Sequence, residues 1–278
     1  MDKRILTIQD ISCVGQCSLT VALPILSACG IETAILPGAV LSTHTAAGFE
    51  GFYFHDLTDD FPHILAHWKD REIQFDAFYT GYITAAQIPL ILEIIKETAR
   101  NGALRIVDPA MADNGRLYSG FSDDFPQKMA ALCKEADFIL PNLTEAAFLL
   151  GIPYPGETYT RADIEKICAG LHKLGAKNVV LTGISFEEGK TGCVCYDGAS
   201  LDWRSTRRLP AEMHGTGDVF ASAFTGALCR GKNLLEAASV AVDFTAEAIR
   251  LTLDDKAHWY GAKFEKAIPF LLRRLQDE

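Results

Sequence analysis

The chain has 278 residues, 49 % of them hydrophobic and 22 % charged, with 26 Lys and Arg against 36 Asp and Glu for a formal charge of −10. That much apolar surface offsets chain entropy and excludes an intrinsically disordered polymer. The acidic excess argues against a nucleic-acid backbone or an anionic membrane as the main partner, though not against a small anionic ligand.

Apolar runs of strand length alternate with helical periods along the chain. A strand over 4–8 precedes a helix from about 18 to 29, which stops at Gly30, and a second strand covers 33–36. A helix over 55–69, a strand over 75–79, a helix over 85–100 and a strand over 104–107 follow. Helical period at 129–134, a strand at 138–140, helices over 143–150 and 161–174 and a strand over 178–182 continue the rhythm. Residues 192–196 and 201–207, split by Asp197-Gly198, read as an antiparallel hairpin, and the chain from about Gly215 onward is helical. This alternation predicts an α/β fold with a mostly parallel sheet flanked by helices on both faces. One domain over 1–278 is expected, with a small flap over 36–56 where glycine and threonine are dense.

Eight cysteines lack a metal-ligand spacing, and Cys193 and Cys195 share one face of a strand. The opening MDKRILTIQD lacks the apolar core of a leader, and no stretch is long enough for a membrane helix. A reducing, cytoplasmic setting is the expectation.

Ligands of open α/β sheets bind at the carboxyl ends of the strands. Those ends hold Asp10 and Ser12, Thr80-Gly81-Tyr82, Asp108-Pro109, Pro141-Asn142 and Thr182-Gly183, all polar or turn-forming. The sharpest local signal is His214-Gly215-Thr216-Gly217-Asp218 directly before a helical run. Glycines let a backbone approach an oxyanion, and the first amides of a helix supply donors and partial positive charge. An ordinary glycine turn with Asp218 in the first helical turn is the plainer alternative. It is weakened because Thr216 already offers a capping oxygen.

Gly183-Ile-Ser-Phe-Glu-Glu-Gly-Lys190-Thr resembles a P-loop but has five intervening residues, two acids and a strand behind it, so it reads as a plain loop. Asp108 and Asp113, five residues apart after a buried strand, could orient a magnesium ion, although Asp113 beside Asn114-Gly115 also suits a turn. Asn142-Leu-Thr-Glu145 has the spacing of a helix capping box. His63 and His67 lack a third ligand and read as a solvated helix face. His44, by contrast, sits among hydroxyls in the flap segment Leu41-Ser-Thr-His-Thr45.

Taken together, ILTIQD at the start, LSTHT at 41–45, TGY at 80–82, DPAMADNGRLY at 108–118, LPNLTEAAFLL at 140–150 and GTGDVFAS at 215–222 resemble the pyridoxal kinases of the ribokinase superfamily. The match runs in order through the whole chain. GTGD marks the superfamily broadly, whereas STHT, GY and DPxMxDNGxLY are more specific to the vitamin B6 kinases.

The resemblance implies a ribokinase-like fold with a small lid, a homodimer, and transfer of the γ-phosphate of ATP to the 5′-hydroxymethyl of pyridoxal, pyridoxine or pyridoxamine. By motif, Asp218 would be the catalytic base, and Gly215, Thr216 and Gly217 would form the anion hole. Asp10, Ser12, His44, Thr45 and Tyr82 would line the substrate pocket. Asp108, Asn142, Glu145, Thr182, Gly183 and Gly217 would face ATP, with Asp108, Asp113 and Glu145 toward Mg2+ and K+ as a candidate monovalent ion. Two positions depart from the family pattern: Asp10, where many members carry Ser, and Ala112, where Gly is common. The alternatives are a hydroxymethylpyrimidine kinase and a non-catalytic nucleotide- or B6-binding module.

Overall fold

The computed structural model describes residues 3–45, 48–156, 158–210 and 213–276, so that residues 46 and 47 of the predicted flap lie outside the described residues. In chain order the elements are β1 (Arg4–Ser12), α1 (Leu19–Ala28), β2 (Glu32–Leu41), β3 (Phe54–Asp56), α2 (Phe61–Asp70), β4 (Phe75–Thr80), α3 (Gln87–Thr98) and β5 (Ala99–Val107). Then come the short pair β6 (Ala112–Asp113) and β7 (Arg116–Leu117), followed by α4 (Phe125–Cys133), β8 (Phe138–Ile139), α5 (Leu143–Leu150), α6 (Arg161–Lys173) and β9 (Asn178–Thr182). The chain ends with β10 (Lys190–Tyr196), β11 (Leu201–Arg207), α7 (Thr216–Cys229), α8 (Leu234–Thr252) and α9 (Phe264–Gln276).

Among the described residues the main sheet has the strand order β11-β10-β9-β8-β5-β4-β1-β2-β3. The pairs from β2 through β9 are parallel, and the antiparallel strands β3, β10 and β11 lie toward the two edges. Strands covered on both faces read as continuous apolar runs rather than alternations. In β1, Ile5 packs into one core while Leu6 and Ile8 pack into the other. Helices α1, α7, α8 and α9 close the first face, and α2 to α6 close the second. The predicted α/β sheet with helices on both faces is the one observed, and no described helix is long and apolar enough to cross a membrane.

Several predicted boundaries move. The helix expected over 55–69 begins only at Phe61, with Pro62 in its first turn. Residues 54–56 instead pair antiparallel with β2, and one 3-10 turn fills 58–60. Proline lacks the N–H an interior helical position needs, so it belongs at the start. Pro126 likewise opens α4 four residues earlier than the periodicity places it. Strands β1 and β2 run on to Ser12 and Leu41, so Asp10 and Ser12 stand within a strand rather than in the loop after it. Between the pairs Gln9–Pro37 and Ile11–Val40 the register shifts, with one extra residue on β2 opposite Asp10.

Candidate active site

A cleft of about 640 Å³ opens over the carboxyl ends of the parallel strands. It is lined by every residue singled out above for a site: Asp10, Ser12, His44, Thr45 and Tyr82; Asp108, Asp113, Asn142, Glu145, Thr182 and Gly183; and Gly215, Thr216, Gly217 and Asp218. The three groups come from opposite halves of the sheet and from the start of α7.

At the start of α7, Gly215 is the N-cap with φ 72° and ψ 3°, and no side chain caps the first turn. The expected capping role of Thr216 is not observed, because its hydroxyl donates back to the Met213 carbonyl at 3.3 Å. The first-turn N–H groups of α7 have no intrahelical partner and remain available to an anion. Asp218 sits in that turn. Loss of hydration pushes its carboxyl up to about 7, against the backbone N–H of Ser18, which donates to it and lowers it, and with a smaller upward push from Asp10. A carboxyl poised there can accept a proton at neutral pH.

Ser18 was missed from the sequence. It caps α1 in an unusual backbone conformation, φ 54° and ψ −130°, its carbonyl accepting from Val21 and Ala22 at 3.0 and 2.9 Å. Its side chain bonds to Asp10 and its N–H to Asp218. One strained residue therefore ties together the two carboxyls at this end of the cleft, a place where strain of about 1–3 kcal/mol is commonly stored. A serine before an apolar run signals a helix cap, and nothing in that signal reveals the second contact.

Asp10 is only 5 % exposed. It accepts from Ser12 Oγ at 3.2 Å, and burial pushes its carboxyl above the usual range against the Ser18 and Ser12 bonds. Tyr82 stands nearby with its ring 5.2 Å from Phe121, and burial, with Asp10 adding, raises its hydroxyl to about 12. His44 is buried, and its Nε2 donates to the Tyr260 carbonyl at 3.0 Å. A carbonyl only accepts, so this bond places a proton on Nε2. The His44 ring lies 4.8 Å from Phe49 and 5.4 Å from His214. Phe49 lies 4.7 Å from Trp259, so the loop after β2 rests on the loop between α8 and α9.

The other end of the cleft is sewn together by α5. Asn142 Oδ1 accepts from the Glu145 N–H at 2.9 Å, and Glu145 Oε2 accepts from the Asn142 N–H at 2.8 Å, completing a capping box. Glu145 Oε1 accepts from the Met111 N–H at 3.1 Å, Asn142 Nδ2 donates to the Ala112 carbonyl at 2.8 Å, and Thr144 Oγ1 accepts from the Gly115 N–H at 3.0 Å. The capping reading and a site role thus meet in the same residues, since the box holds the Asp108–Gly115 loop in place. Ala112 fits without disturbance, being fully buried in β6 opposite Leu117. Thr182 pairs with Asn142 and donates to the Pro141 carbonyl at 3.3 Å.

Asp108 is 8 % exposed and faces the carboxyls of Glu145 and Asp218. Burial, then Glu145, then Asp218 push it well above the usual carboxylate range. Burial likewise raises Glu145 to about 8, against the N–H groups of Asn142, Met111 and Ala112. No compact set of three His, Cys, Asp or Glu ligands is present among the described residues. A magnesium ion needs less than that, because phosphate oxygens and water complete its shell around one or two carboxylates. Asp108, with like charges beside it and its face to the cleft, fits such an ion. Asp113 is exposed, and its oxygens are engaged by Asn114 at 2.8 and 3.3 Å.

Among the described residues lining the cleft, Arg207 at the end of β11 is the only Arg or Lys, and Thr245 on α8 turns a buried hydroxyl without a partner toward the same space. Neither was anticipated, because a hairpin end and a helix interior carry no phosphate or base signature of their own. The P-loop look-alike is a turn-rich loop in which Lys190 is paired with Glu187 at 2.5 Å.

A parallel sheet wrapped by helices, with an uncapped, glycine-led helix start and a buried acid over its carboxyl edge, defines a ribokinase-like phosphotransferase. The profile of the phosphomethylpyrimidine kinase family matches residues 62–262, and the chain belongs to that family. A candidate phosphomethylpyrimidine kinase from Bacteroides thetaiotaomicron, crystallised with pyridoxal, is 38 % identical with a TM-score of 0.91, over 98 % of this chain and 96 % of that one. Pyridoxal kinase from Lactobacillus plantarum is 33 % identical with a TM-score of 0.89, over 98 % and 97 %. Pyridoxal kinase from Dictyostelium discoideum is 28 % identical over 249 residues, 81 % of this chain and 74 % of that protein.

Proposed function

We propose that the chain transfers the γ-phosphate of ATP to the 5′-hydroxymethyl group of a B6 vitamer, giving the 5′-phosphate. The observation that carries this reading is Asp218, with a carboxyl pushed up to about 7, in the first turn of a helix whose N–H groups no side chain caps. Similarity to pyridoxal kinases over nearly the whole chain supports the choice of substrate.

In this reading the substrate ring lies between Asp10, Tyr82 and His44, with its hydroxymethyl toward Asp218. An aliphatic alcohol is far too weak an acid to be ionised by a carboxylate. Asp218 therefore orients the hydroxyl and accepts its proton late, as the bond to phosphorus forms. The Gly215, Thr216 and Gly217 amides hold the transferring oxygens in a fixed polar frame, which needs no reorganisation during the step. Asp108 would hold magnesium, and the carboxylates of Glu145 and Asp113 would add negative charge toward it. When bound, that ion neutralises charge on the phosphate oxygens. Asn142, Thr182 and Gly183 border the nucleotide side, and Arg207 adds a positive charge there.

The enzyme works as a homodimer in the cytoplasm. Exposed Tyr53 and Phe54 stand at β3, which leaves a sheet edge open, and sedimentation with and without Tyr53→Asp tests that contact.

The family description favours one second reading, a hydroxymethylpyrimidine kinase, whose substrate also presents a hydroxymethyl on a nitrogen heterocycle. An ATP-coupled assay across pyridoxal, pyridoxine, pyridoxamine and hydroxymethylpyrimidine, with and without Mg2+ and K+, separates the two. Turnover of the pyrimidine alone would overturn the B6 assignment.

A further inference from the structure

The cleft contains one buried carboxyl that the phosphoryl-transfer chemistry does not use. Asp10 lies in β1 opposite the extra residue of β2, is 5 % exposed, and lines the cleft. The groups facing it are the Ser12 and Ser18 hydroxyls, the Cys17 thiol, the Tyr82 hydroxyl and the Asp218 carboxyl. None of these groups is a cation, and what acts on the Asp10 carboxyl is burial and the Ser18, Ser12 and backbone hydrogen bonds. A carboxylate buried without a counter-charge is costly, and the cost rises when a ligand expels the remaining water.

We propose that Asp10 is the specificity residue of the cleft, selecting a substrate whose heterocycle brings a protonated nitrogen, and rejecting hydroxymethyl compounds that lack one. The inference deepens the B6 kinase reading and rests on it. All B6 vitamers carry a basic ring nitrogen, and pyridoxamine adds an exocyclic amine. Either can share one proton with Asp10, so the pair is neutral as a whole whichever partner holds the proton. A sugar or a carbocyclic alcohol of the same size leaves the carboxyl unpaired in a dry site, the situation in which polar pockets discriminate most strongly. Selection here works by penalising the wrong ligand as much as by attracting the right one. Ser18 gives the selection a geometric link to catalysis, because the residue whose side chain holds Asp10 also offers its N–H to Asp218.

The test compares kcat/KM for pyridoxine, for its analogue with the ring nitrogen replaced by C–H, and for pyridoxamine, in the wild type and in Asp10→Asn and Asp10→Ser. The wild type should disfavour the ring-carbon analogue by about 10- to 100-fold, the worth of a hydrogen bond to a charged group. Both variants should shrink that ratio to within about fivefold. If the ring-carbon ratio persists in the variants while a wild-type preference for pyridoxamine over pyridoxine disappears, the exocyclic amine is the partner of Asp10. A purely structural Asp10 would lower turnover of all three compounds in proportion. Ratios unchanged in both variants would overturn the proposal. A wild type that phosphorylates no B6 vitamer would instead remove the functional reading beneath it.

Discussion

Gly215 stands so close to Gln16 that a Cβ added to it would lie 1.8 Å from the Gln16 carbonyl oxygen, whereas a Cβ on Gly217 would meet nothing within 4 Å. The two glycines of one short motif are therefore glycine for different reasons. Gly215 is required by the fold: its φ of 72° is left-handed and its neighbour is backbone, which cannot swing aside. Gly217 is free of any such demand, and the space beside it is the cleft.

Gly215→Ala should cost roughly 2–5 kcal/mol of stability, from the left-handed backbone and the overlap together. Gly217→Ala should leave the melting temperature unchanged or slightly raised, since alanine is the better helix former. It should still cut kcat/KM for ATP by at least about tenfold, by filling space an anion would occupy. Thermal melts beside kinetics separate the two effects, and a fully active Gly217→Ala would remove that glycine from the anion site.

Asp218 should link rate and stability to pH in opposite directions. With its carboxyl at about 7, the proton-accepting form grows as pH rises through neutrality, so kcat/KM should climb over that range. Between the ordinary 3.8 and about 7 the folded protein keeps a proton that the unfolded chain has already released. This contribution to stability is full below about 4 and lost as pH rises through 7. Asp218→Asn should flatten both dependences and lower kcat by about 10²–10⁴. Turnover within a few fold of wild type would reduce Asp218 to a helix-start residue.

Glu145 is bound through both oxygens, to Asn142 N–H at 2.8 Å and Met111 N–H at 3.1 Å. An isosteric Gln can accept only one of these bonds and points an amide donor at the other N–H. The capping motif alone suggests a harmless change, but the second bond makes Glu145→Gln destabilising by about 1–3 kcal/mol. The variant should also raise the magnesium concentration for half-maximal rate, because the Asp108–Gly115 loop loses its tie to α5. A titration of rate against Mg2+ beside a thermal melt checks both. Wild-type stability would mean the Met111 contact is dispensable.

The loop after β2 rests on aromatic contact. Phe49 lies 4.7 Å from Trp259, and His44 is bonded to the carbonyl of Tyr260. Trp259→Ala removes a pair worth about 0.5–1.5 kcal/mol and should speed proteolysis within 38–50 by up to about tenfold. The vitamer KM should rise more than kcat falls, since closure over the ring shields the reaction from water. Cleavage rates identical to wild type, with and without pyridoxal and an ATP analogue, would exclude the loop as a lid.

What the sequence reveals follows from what is local. The sheet with helices on both faces was legible because runs such as Val179–Leu181 are apolar throughout and Ile5–Ile8 is apolar but for Thr7, as suits doubly covered strands. The cleft residues were legible as strand ends and as a glycine-led helix start, and the resemblance to B6 kinases assigned them to a family the comparisons uphold. Hidden from the sequence were the contacts that cross it. The two bonds of Ser18, the tie from Glu145 to Met111 and the position of Thr245 and Arg207 depend on where distant segments meet. The helix start misplaced to residue 55 failed for a local reason, because a short edge strand and a 3-10 turn before Pro62 mimic helical spacing.

The order in which the molecule is assembled has a consequence for how it emerges from the ribosome. Every strand of the sheet precedes α7 in the chain, yet α7, α8 and α9 cover the face formed by Ile5, Ala77, Tyr79, Ile106 and Val180, which until then has only α1 against it. At about 5–20 residues per second, a nascent chain synthesised through Arg207 displays that greasy face for several seconds before the last quarter of the protein can dock. The helix that brings Asp218 is also the first to seal the exposed sheet, so the chain gains its proposed proton acceptor and its protection from aggregation in a single docking event. Truncations after β11 should therefore appear as insoluble protein and chaperone load rather than as a soluble, inactive enzyme.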